Sequence, residues 1–135
     1  MTPSAAARLA QAILTLHLGV IVFNVAGLVA IPVGAAFGWR WVRVRWWRAL
    51  HIASWALVAV QAALGRACFL TVWQDRLTGA AAAPPLIQRW VERAIYWPGP
   101  IWVFAAIYLA LFAAVLALWF AIPPRRLSVS PAPRP

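Results

Sequence analysis

Lysine is absent from this chain and acid is nearly so: Asp75 and Glu92 are the two carboxylates, against twelve arginines. Both acids lie close to Arg76, Arg89 and Arg93, where pairing is a better use for them than general acid–base work. Ser54 has no nearby acid, and no nucleophile, base and orienting group can be assembled. No catalytic residue is assigned, and enzymatic activity is not expected. The single Cys68 excludes an intrachain disulfide. One thiol with two histidines makes no recognisable ligand spacing, so no metal is expected. Glycines are scattered at helix-packing intervals, not gathered into a phosphate-binding loop.

What the chain does have is apolar surface. A hydrophobic fraction of 65%, a charged fraction of 10% and a mean hydropathy of +0.82 place a bilayer, not water, around most of it. Tryptophan and arginine bracket the apolar runs. Trp39, Trp41, Trp46 and Trp47 are interleaved with Arg40, Arg43, Arg45 and Arg48. An indole ring with one N–H suits the headgroup level, and a guanidinium is costly in hydrocarbon. A net charge of +10 on a soluble protein would suggest nucleic acid. Here the arginines flank apolar spans, so anionic membrane lipids are the expected partners and nucleic acid is not. Arginine to the exclusion of lysine is the usage of a GC-rich bacterial genome.

The pattern predicts an all-α integral membrane helical bundle, with three transmembrane helices and one short interfacial amphipathic helix in a single domain over residues 1–126. The first span runs from about Ala5 to Phe37, opened by Thr2 as N-cap with Pro3 behind it. The second runs from about 49 to 73, and the third from about 101 to 122, where Pro123, Pro124, Arg125 and Arg126 stop it. Between the last two spans, residues 85–96 alternate apolar Leu86, Ile87, Trp90 and Val91 with Gln88, Arg89, Glu92 and Arg93, the pattern of a helix lying in the interface. Residues 127–135 read as a disordered cytoplasmic tail. Four arginines in the first loop and three in the tail, against five on the other side, put the N-terminus outside and the C-terminus in the cytoplasm of a bacterial inner membrane.

Polar groups interrupt the spans in register. His17, Asn24, Gly27 and Gly34 share one face of the first, and His51, Ser54, Gln61, Gly65 and Cys68 one face of the second. Packed antiparallel, the two faces place His17 opposite Gln61 and Asn24 opposite His51, within about one helical turn. Two readings follow. These groups are interhelical hydrogen bonds, or they form a site, since ionisable residues inside a membrane are functional hypotheses by default. Two histidines invite a b-type haem, but this register separates them by roughly 13 Å along the membrane normal. No cofactor is expected on that ground. Asn24, Gln61, Arg66, Cys68 and Thr71 are candidates for a polar pocket open to the outer side, suited to a lipid or quinone headgroup.

The run Gly65-Arg66-Ala67-Cys68-Phe69-Leu70-Thr71-Val72-Trp73, with Leu16-His17, His51, Trp90 and Pro100-Ile101-Trp102, resembles a bacterial family of small integral membrane proteins known as domain of unknown function 2784. The resemblance implies that His17, His51, Cys68 and Thr71 belong to a shared pattern. It brings no activity with it. The expected function is that of a non-enzymatic accessory or assembly component of the cytoplasmic membrane, partnered by lipids, another membrane protein or further copies of itself. The alternative is a redox or lipophilic-cofactor protein, binding b-type haem or quinone through His17 and His51.

Overall fold

The computed structural model describes residues 2–79, 90 and 100–125. Among them every named element is helical: α1 over Pro3–Ala36, a 3-10 turn over Trp41–Arg43, α2 over Arg45–Ala63, α3 over Phe69–Thr78 and α4 over Ile101–Ala121. The interfacial helix expected over 85–96 lies outside the described residues apart from Trp90, as does the tail 127–135.

Helix α1 begins where its sequence says it should. The Thr2 hydroxyl accepts from the Ala5 N–H at 3.4 Å, and proline occupies the first turn, where its missing N–H costs nothing. It continues through Pro32 to Ala36. Two helices are long and apolar enough to cross a membrane, Ser4–Ala36 and Trp102–Ala121.

The second expected span is not one helix. α2 ends at Ala63, Gly65 takes φ +64°, and α3 starts only at Phe69. Gly65 N–H donates to the Ala62 carbonyl at 2.9 Å and Arg66 N–H to the Gln61 carbonyl at 2.9 Å. This pair of bonds closes a helix end around a left-handed glycine. The Gln61 side chain then accepts from the Phe69 N–H at 2.8 Å and so starts α3. Hydropathy does not mark the break because the residues on both sides of it are apolar.

Replacing Gly65 by alanine distinguishes a break from a continuous helix. Forcing a Cβ into the left-handed region costs about 1–2 kcal/mol, whereas the same change inside a helix stabilises by roughly 0.5–1 kcal/mol. Thermal unfolding in mild detergent should show the loss.

α1, α2 and α4 meet at one end. α2 packs chiefly on α4, and α3 returns to pack on α1. The join is made by Arg48, 1% exposed, whose Nη2 donates to the Leu118 carbonyl at 2.8 Å and whose Nη1 donates to the Ile122 carbonyl at 3.0 Å. The Leu118 carbonyl also accepts from the Ile122 N–H at 3.0 Å, whereas the Ile122 carbonyl lies past the last turn of α4 with no helical N–H ahead of it. The guanidinium also lies 5.7 Å from the centroid of Trp119. Beside it, the Arg125 N–H donates to the Arg43 carbonyl at 2.8 Å. The end of α4 is thereby fixed next to the start of α2, and the two helices run antiparallel.

Candidate functional site

Because α2 leans on α4 while α3 leans on α1, the chain forks below the point where α1 and α2 touch. A cavity of about 200 Å³ lies in the fork. His17 and Asn24 reach it from α1, Gln61 from α2, Arg66 and Cys68 from the linker, and Thr71 from α3. The rest of the described wall is apolar and aromatic, including Val20, Ile21, Trp55, Phe104 and Leu111, with Tyr108 on α4. The five residues expected to form a polar pocket therefore share one cavity with His17. His51 is not among its lining residues.

Above the fork α1 and α2 come into contact at Gly27. A Cβ there would overlap the His51 imidazole, so the absence of a side chain is what admits the ring. His51 Nε2 lies 3.0 Å from the Asn24 backbone oxygen and 3.2 Å from the Trp55 indole N–H. One ring nitrogen either donates to the carbonyl or accepts from the indole, so the tautomer selects between the two. His51 Nδ1 and Asn24 Oδ1 are buried with no hydrogen-bond partner among the described residues. Asn24 and His51 thus meet as expected from register, but through the backbone of Asn24 and not its amide.

The lower pair differs from the register argument. His17 Nδ1 lies 3.5 Å from the Thr71 hydroxyl, not against Gln61. Gln61 is turned to the backbone, donating to the Leu57 carbonyl at 3.2 Å and accepting from Phe69 N–H. The break at Gly65 is the reason: once α2 swings to α4, it is α3 that comes to lie beside His17.

Three further residues in and around the site were not assigned to it from the sequence. Trp55 is 4% exposed in the middle of α2, where a tryptophan was expected only at headgroup level. Arg48, counted with the basic loop, is buried. Tyr108 brings a hydroxyl to the α4 wall. For the first two the sequence does hold a clue, since Arg48, His51 and Trp55 follow at three and four residues and share a helix face.

A haem ligated by both histidines does not fit this arrangement. His51 is packed against Gly27 and Asn24, and His17 lies seven residues lower on α1, about 10 Å along the helix. A cavity of about 150 Å³ takes one benzene, so the 200 Å³ here is far short of a porphyrin. Among the described residues there is no group of three or more His, Cys, Asp or Glu placed to hold a metal ion.

Residues 7–124 match the model of the family described as Protein of Unknown function (DUF2784). The chain belongs to this family. The matched DUF2784 region takes in the four described helices except the first turn of α1, and it contains every described residue of the cavity wall. No curated protein matches this DUF2784 chain, and no solved structure does.

Proposed function

We propose that this protein crosses a bacterial cytoplasmic membrane three times, N-terminus outside and C-terminus inside, and serves without catalysis as an accessory protein that holds a lipophilic molecule in the fork between its helices. The observation that carries the reading is the cavity itself: apolar walls, a few polar side chains, and room for one ring or a length of single chain.

Support for the middle crossing comes from the ends of the other two. α1 finishes, and α4 also finishes, at the end of the bundle marked by Arg43 and Arg48. The chain must return across the same depth between them, and α2 with its 19 residues is about 28 Å long, close to the thickness of a hydrocarbon core. Arginine asymmetry supplies the orientation. A redox role through paired histidines is not carried forward, because the two rings serve different levels of the bundle.

Filling the cavity tests the proposal. In mild detergent, a saturating single-chain lipophile at about 100 times its Kd stabilises a protein that binds it by about 2.7 kcal/mol, so the unfolding temperature of the wild type should rise. Ala105→Phe, which places a ring in the cavity from α4, should fold with unchanged helicity and lose that rise. An equal rise in both proteins would show that the lipophile acts on the outer surface instead.

A further inference from the structure

We propose that the occupant is a single-chain amphiphile with an anionic head, its chain in the fork and its carboxylate or phosphate at Arg66. This rests on the lipophile-holding reading and names the class of molecule. Arg66 lines the cavity and is exposed, which places it where wall meets surroundings. Among the described lining residues Arg66 is the one with a charged side chain, and Asp75 is not among them.

Two of the other polar side chains are engaged, while Asn24 Oδ1 is buried without a partner among the described residues. Gln61 has its amide bonded at both ends, and His17 faces the Thr71 hydroxyl. The Arg66 guanidinium makes no hydrogen bond or ion pair among the described residues, while its backbone N–H, bonded to the Gln61 carbonyl at 2.9 Å, fixes where the side chain starts. A guanidinium offers five donors in a fork that matches a carboxylate or phosphate.

Depth agrees with charge. Arg66 follows the C-terminal end of α2, about one hydrocarbon thickness from the Arg45 end, and so lies at the opposite headgroup level. An amphiphile whose head rests there has its chain directed toward Val20, Ile21 and Phe104. The volume of about 200 Å³ admits one chain in part and not a pair side by side.

Cys68 provides the readout, being the sole cysteine of the chain, half-buried, and part of the same wall. The full-length protein in zwitterionic nanodiscs is alkylated with N-ethylmaleimide in the presence of oleate, oleoyl lysophosphatidate or oleyl alcohol. Both anions should protect Cys68 at lower mole fraction than the alcohol, by about five-fold for an ion pair near the surface. Protection by oleate alone or by the lysophosphatidate alone assigns the source of the head. Arg66→Gln should remove the difference between anion and alcohol, and Arg66→Lys, which keeps the charge, should retain part of it. Equal protection by alcohol and anion, or an anion preference that survives Arg66→Gln, would overturn the anionic head while leaving a lipophile in the cavity. Failure of all three molecules to protect would overturn both.

Discussion

Arg48→Ala is expected to destabilise the protein by about 3 kcal/mol, the largest effect of any single truncation considered for this chain. The position is unfavourable on local grounds. Arg48 stands in the first turn of α2, where the positive end of the helix disfavours a cation. Its stability comes from the other helix. The C-terminus of α4 presents the Leu118 and Ile122 carbonyls to the guanidinium at 2.8 and 3.0 Å, and the negative end of that helix faces the charge. Removing the side chain leaves the Ile122 carbonyl without its donor and the Leu118 carbonyl with the Ile122 N–H alone, and it empties a site where the guanidinium was 1% exposed. Arg48→Met separates packing from hydrogen bonding, because it fills much of the same space with no donor. Unfolding titrations in mixed detergent micelles should show both variants strongly destabilised, with Arg48→Lys between them and the wild type. A methionine variant as stable as wild type would mean that the α4 carbonyls do not need the guanidinium.

Gly27→Ala is expected to cost about 1–3 kcal/mol, the range for forcing extra volume into a packed interior. The new methyl would lie 2.5 Å from His51 Cδ2, and the ring cannot swing away without giving up its contacts to the Asn24 carbonyl and the Trp55 indole. α1 and α2 must then separate at the one level where they touch closely. Gly19→Ala is the control on the same helix, since a Cβ there has nothing within 4 Å. It should stabilise by roughly 0.5–1 kcal/mol, the advantage of alanine over glycine inside a helix. Equal behaviour of the two variants in the same unfolding assay would place the α1–α2 contact elsewhere.

The parts of the fold that were legible in the sequence are those set by local chemistry or by long apolar runs. Thr2 and Pro3 mark the start of α1, and the apolar run ending at Pro123 and Pro124 bounds α4. The break after Ala63 was hidden because a single glycine in apolar surroundings serves helix packing as well as helix termination, and composition does not tell the two apart. That one turn then decides what His17 meets. Residues of the cavity wall were legible as a polar stripe on each helix. The bonding within the stripe was not, because Asn24 contributes its backbone, Gln61 caps its own chain, and Thr71 arrives from a helix that the hydropathy pattern merged with its predecessor. Arg48 was read as a headgroup residue from its type alone, and Trp55 was not singled out at all. Their spacing from His51 carried the contrary information.

Native mass spectrometry of the protein released from mild detergent tests the central claim most directly, since it weighs whatever the fork holds. The wild type should carry a near-stoichiometric lipophilic adduct that survives gentle activation, and Ala105→Phe should be seen without it. A wild type that appears only as the bare chain under conditions that preserve added single-chain lipid on other membrane proteins, or an adduct of the same abundance on Ala105→Phe, would contradict a ligand-holding cavity between α1, α2 and α4.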